Sequence, residues 1–305
     1  MIELVLALAL AVQEPSAQTA PAAEVDTLVV APPKPMTRQE AVKAYVEEVD
    51  DLTGNKRLGR FDRQICPGVI GMSAQPAQFV IDRIAERAQQ VGLTVQEPGC
   101  KANVVIVLTD APDEMALSLY KDHPRTVSRW DLEMTPGRTD LKRFLTTDAP
   151  VRWWHVSRRV MADGRTYSPG QYVAVEKVGR VSSSTRDDFS HVIIIVDASR
   201  VGRVRLDALS DYLAFVALAQ VDPEASPGMA PSILNLFTDR EAGREPQTGM
   251  TSWDFAYVSG LYDARRNVLR VNSQRYDIRD AMMRRAQEEA PSAEDSPTQA
   301  SPVEL

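Results

Sequence analysis

The chain has 305 residues, 44% hydrophobic and 25% charged, with a formal net charge of −7. This composition supplies a packed core and excludes whole-chain disorder; no apolar run reaches 18 residues, which excludes a multi-span helical membrane protein. The charge sits at the ends: residues 1–33 and 286–305 hold acids without Lys or Arg and together carry −9, leaving +2 on residues 34–285. A nearly neutral core with scattered basic pairs, such as Arg158-Arg159 and Arg284-Arg285, argues against a nucleic-acid partner.

Residues 4–12 are nine consecutive apolar residues, followed by an Ala/Pro/Gln-rich stretch to Pro35. Such a run is too short to span a bilayer and suits the hydrophobic region of a secretory signal, although the start carries Glu3 and no basic residue. Residues 1–35 therefore read as a signal peptide and linker, which places the protein in the periplasm or outside the cell with no membrane span after cleavage. Residues 36–285 read as a single α+β domain and residues 286–305 as a disordered acidic tail.

In chain order, Thr37 with Glu40 forms a capping-box signature, and Val42, Tyr45, Val46 and Val49 recur at helical spacing. Residues 65–72 read as a strand and its entry. Residues 76–91 read as an amphipathic helix stopped by Gly92, and 103–109 (NVVIVLT) as a buried strand. That is a β-α-β unit, whose helical crossover makes its strands parallel. Cys66 and Cys100 each precede a strand by three residues, so they fall near one end of the sheet, and an exported protein with two cysteines pairs them. Without CxxC spacing or a nearby His, metal or redox chemistry is disfavoured there.

Short helices are expected over 113–122, before Pro124, and over 140–145, then a strand over 151–156 (VRWWHV). Residues 161–188 are polar and turn-rich and read as a long hairpin or exposed flap. Residues 191–196 (HVIIIV) form the continuous apolar pattern of a central strand covered on both faces. They lead into residues 206–220, a helix apolar nearly all round and so buried. A short apolar segment at 232–237, a helix capped at Thr251 and running through Tyr262, and a last helix over 277–285 complete the domain. The expected architecture is a mixed sheet containing a β-α-β unit, packed on a buried central helix.

The familiar catalytic patterns are missing. His123, His155 and His191 are spaced too widely for one helix to present two of them to zinc, and there is no GxSxG, GxxxxGK[ST] or GxGxxG. The densest polar cluster is Ser182, Ser183, Ser184, Thr185, Arg186, Asp187 and Asp188 with His191 beyond, which holds nucleophiles, carboxylates and a base in ten residues. Its plainer reading is a solvated loop in which Ser and Asp bond to local backbone. His155 beside Trp153 and Trp154 is a second candidate, read more simply as a buried, satisfied ring. Asp211 interrupts the buried helix and needs a partner there. Asp254 with Trp253 reads as a helix cap.

Four segments, HVIIIVDA, LSDYLAFVALAQVD, SILNLF and TSWDFAYVSGLYDARR, together resemble the carboxy-terminal half of a group of uncharacterised secreted bacterial proteins with a zincin-like layout. The resemblance covers about a quarter of the chain and rests on short motifs. It implies a strand followed by a metal-bearing helix, but Ser210, Asp211 and Ala214 stand where that helix places His, Glu and His. No metal ligand and no cofactor carries over, and the resemblance implies a relative that kept the scaffold. Two functions follow: an exported non-catalytic domain that binds an envelope protein or other ligand in a cleft over the buried helix, or an exported hydrolase built on residues 182–191.

Overall fold

The computed structural model describes residues 36–50, 57–127, 133–135, 137–168, 171, 179–270 and 272–288. The signal segment and linker expected over 1–35, and all of the acidic tail beyond Glu288, lie outside the described residues. In order the elements are α1 (Arg38–Val49), β1 (Gln64–Ile65), β2 (Pro67–Ile70), α2 (Ala74–Gln90), β3 (Thr94–Val95), β4 (Val104–Thr109), α3 (Pro112–Asp122) and α4 (Pro124–Val127). There follow β5 (Glu133–Met134), α5 (Arg138–Thr146), β6 (Val151–Met161), β7 (Thr185–Asp197), α6 (Ala198–Val201) and α7 (Leu206–Leu218). A 3₁₀ turn (Ile233–Asn235), α8 (Leu236–Glu241), α9 (Ser252–Asp263) and α10 (Asn272–Glu288) close the fold.

The main sheet is mixed, in the order β2-β4-β7-β6-β5, with β2, β4 and β7 parallel and β6 and β5 antiparallel to their neighbours. The expected β-α-β unit is β2-α2-β4. The single strand expected over 65–72 is divided at Cys66, where β1 leaves to pair with β3 while β2 pairs with β4. Asn103 holds that division: its Oδ1 accepts the Cys66 N–H at 2.7 Å and its Nδ2 donates to the Gln64 carbonyl. Here the Cys66–Cys100 disulfide closes, with 6.2 Å between Cα atoms. Gly71 ends β2 at φ +83° beside β4, and a Cβ there would lie 2.0 Å from the Leu108 carbonyl oxygen, so no other residue fits.

The pleat sorts the central strand between two cores. Val192, Ile194 and Val196 face the larger core with α1, α2, α7, α9 and α10, whereas Ile193 and Ile195 join Trp154, Val156, Ala116 of α3 and Phe144 of α5 on the other side. Every residue of α7 from Ala208 to Leu218 is buried, as its all-round apolar sequence requires. Among the described residues α2 and α9 pack against α7, so the helix is covered where the sequence reading expected a cleft.

The strands also run further than their apolar segments suggest. β6 continues to Met161 and β7 begins at Thr185, so both flanks of the flap expected over 161–188 are paired strand, from Arg159↔Asp187 to Met161↔Thr185. The last helix begins five residues before the expected 277 and runs to Glu288, three past the expected boundary. Among the described residues no helix is long and apolar enough to cross a membrane.

Candidate functional site

From Thr185 onward the polar cluster is strand rather than solvated loop. Asp187 and Asp188 are both buried although adjacent on β7, and each is clasped by arginines, at least one of them from a distant part of the chain. Asp187 accepts from Arg57 Nε at 3.1 Å and Nη2 at 3.2 Å, and from Arg159 Nε at 2.9 Å. Asp188 accepts from Arg186 Nη2 at 3.1 Å and Arg266 Nη2 at 2.6 Å. Asp62 bridges both arginines, at 2.6 Å from Arg186 and through a short bond to Arg266. Burial raises the Asp188 carboxyl above its ordinary value against the pull of Arg266 and Arg186. Arg60, packed over the Tyr262 ring and bonded to the Ala264 carbonyl, is drawn down to about 9 by burial.

These partners leave no catalytic pair. Ser183 Oγ is 3.3 Å from Thr185 Oγ1 and accepts the Thr185 N–H at 3.2 Å, a local turn. His191 lies six residues along β7 from Thr185, about 20 Å at a strand's rise, so Ser183 and His191 cannot meet. His155 is opposite Val192 in the register, on the face of the larger core. There its ring stacks on Phe189 at 4.9 Å and Nε2 lies 2.8 Å from the Val216 carbonyl oxygen. Burial depresses it to about 4, so the ring is neutral at ordinary pH and is held by its stacking and its backbone partner.

Asp211 is likewise satisfied. Arg87 of α2 donates two parallel bonds to it, Nε at 2.8 Å and Nη2 at 3.0 Å, and the Met250 N–H donates a third at 3.0 Å. Gly249 passes so close that a Cβ would sit 2.6 Å from the carboxylate oxygen. Ser210 Oγ donates back to the Leu206 carbonyl within the helix. A guanidinium thus fills the place beside Asp211 that a metal would need, and among the described residues no three His, Cys, Asp or Glu side chains are grouped to hold an ion.

An open apolar feature lies elsewhere. A groove of about 410 Å³ runs along α1 against the loop 226–231, floored by Ala41, Ala44 and Tyr45, with Trp253 as its aromatic wall. Its volume falls within the range of small-ligand sites. Met36 at one lip is 50% exposed and Met229 at the other is 91% exposed, and both are flexible apolar side chains. Tyr45 and Trp253 meet edge to face at 5.5 Å.

Beneath the groove lies Asp254, fully buried. It accepts from Tyr45 Oη at 2.7 Å, Ser232 Oγ at 2.6 Å, and the backbone of Ile233 and Thr251, each at 2.8 Å. Burial raises this carboxyl above its usual value in spite of those donors. The cap read from the sequence is therefore also a buried junction joining α1, the 3₁₀ turn and α9, and it fixes the Tyr45 ring that floors the groove.

Sequence reasoning did not single out this groove. The signal available was the run Pro227-Gly228-Met229-Ala230-Pro231, a turn segment with an apolar residue at its tip. No family model, no curated protein and no solved structure matches the chain.

Proposed function

We propose that this protein is an exported, non-catalytic binding domain. The observation that carries the reading is the engagement of the main polar candidates: Asp187, Asp188 and Asp211 are clasped by arginines, His155 is packed against Phe189, and the groove along α1 is lined mostly by apolar residues. A hydrolase needs a nucleophile and base within hydrogen-bond reach in one pocket, whereas a binding domain needs an apolar groove with a polar rim.

Export is supported by the short apolar run before the proline-rich stretch and by the Cys66–Cys100 disulfide, a bond that persists in oxidising compartments. The degenerate zincin-like reading belongs to the same proposal; Arg87 paired with Asp211 on α7 is consistent with a scaffold that holds no ion there.

The test is a hydrolysis panel on the full chain, using p-nitrophenyl esters, p-nitrophenyl phosphate and a quenched fluorogenic peptide library, with Ser183→Ala and His155→Gln alongside. The expected result is no turnover that either substitution removes. Saturable turnover lost in Ser183→Ala, at unchanged melting temperature, would establish the hydrolase reading in its place.

A further inference from the structure

We infer that the groove between α1 and the loop 226–231 takes one extended, proline-containing apolar peptide segment that carries a basic residue, from a partner protein. The inference rests on the binding-domain reading and names the site and the partner's chemistry.

The shape selects an extended chain. The groove lining runs from Met36 to Glu48, roughly 18 Å at the helical rise. An extended chain is about 4.8 Å from its sheet neighbours and a helix with side chains about 10 to 12 Å across, so a groove bounded by one helix and one loop admits the extended chain more readily. At 3.1 Å per residue, polyproline II would place about six residues along it.

The surface chemistry selects the residues. Ala41 and Ala44 leave shallow seats on α1, and the Trp253 wall is the kind of aromatic face on which proline rings stack. An extended proline segment loses little conformational entropy on binding, which favours it for a shallow apolar site.

Charge selects the rest. Among the described residues Glu48 is the only charged one lining the groove. Its carboxylate accepts the Ser226 N–H at 3.2 Å, which holds it at the rim. Among the described residues it has no cationic partner, whereas its neighbours Glu47 and Asp50 are engaged by Arg279 and Arg275. A Lys or Arg on the segment would complete that rim.

The test is titration calorimetry of the full chain with two capped peptides, Lys-Pro-Pro-Val-Pro-Pro-Lys and its counterpart with Glu at both ends. Ala44→Arg obstructs the floor at an exposed helical position without harming helix propensity, and Glu48→Lys reverses the rim charge. The expected result is saturable binding of the Lys peptide, at least tenfold weaker binding of the Glu peptide, loss of binding in Ala44→Arg at unchanged melting temperature, and reversed preference in Glu48→Lys.

Absence of saturable binding up to about 1 mM, equal binding of both peptides, or binding that survives Ala44→Arg would overturn the inference. So would a concentration-dependent dimer abolished by Ala44→Arg, which would assign the groove to a second copy. None of these outcomes produces turnover in the hydrolysis panel, so failure here is distinguishable from failure of the binding-domain reading.

Discussion

Removing the Asp211 carboxylate strands the Arg87 guanidinium and the Met250 N–H together, since the same two oxygens serve both. Breaking a largely buried pair from one side costs several kcal/mol, reduced here because Arg87 retains some contact with water. Asp211→Ala should therefore destabilise by about 3 kcal/mol, and Asp211→Asn by more than half of that, in denaturant unfolding. A loss below about 0.5 kcal/mol for either would show that the clasp is not structural. His155 gives a pH signature. The native ring stays neutral down to about 4 while the unfolded chain takes up its proton below 6.5, so in that window the unfolded state binds more protons and stability falls with falling pH. The loss is roughly 3 kcal/mol across the window. Asp188 and Asp254, whose carboxyls are raised by burial, act with the opposite sign. Because they are common to both proteins, the difference between wild type and His155→Gln isolates the ring. From pH 7 to 4.5 the wild type should lose roughly 3 kcal/mol of stability relative to His155→Gln, so any advantage it holds at pH 7 shrinks; a pH-independent difference would contradict the neutral, sealed ring.

At the scale of elements, α7 is the part most completely surrounded, and Phe215 within it is fully buried and stacked near Tyr257. Phe215→Ala should cost about 3 to 5 kcal/mol by the cavity it leaves, measured by chemical denaturation. Reducing the Cys66–Cys100 bond, which closes a loop of 34 residues, should cost roughly 3 to 4 kcal/mol in the chain-entropy model and lower the melting temperature accordingly. No shift on reduction would mean that the division of β1 from β2 holds without it.

The same elements explain what could be read in advance. The burial of α7 and the capping boxes at Thr37 and Thr251 are local signals, carried by residues within a turn of one another. The polar start of β7 is different: Thr185, Arg186, Asp187 and Asp188 read as loop because the partners that allow their burial, Arg57 and Arg266, lie some 130 and 78 positions away. Long-range charge pairing overrides local polarity there, and no periodicity announces it. The groove escaped for a related reason, since Tyr45 and Trp253 are 208 positions apart in sequence and each reads alone as core.

For the whole molecule, the sheet is closed on both faces by helices, and its polar groups are consumed in joining distant segments. Among the described residues, one open surface is the groove framed by α1 and the loop 226–231 and braced from beneath by Asp254. The groove proposed to bind is thus separate from the polar cluster that holds the strand ends together. Hydrogen exchange of the full chain, with and without the Lys-Pro-Pro-Val-Pro-Pro-Lys peptide at saturation, reads that separation directly. The account predicts new protection confined to α1 and residues 225–235, with the strand ends at 157–161 and 183–188 unchanged. Protection centred on those strand ends, with α1 unaffected, would contradict it.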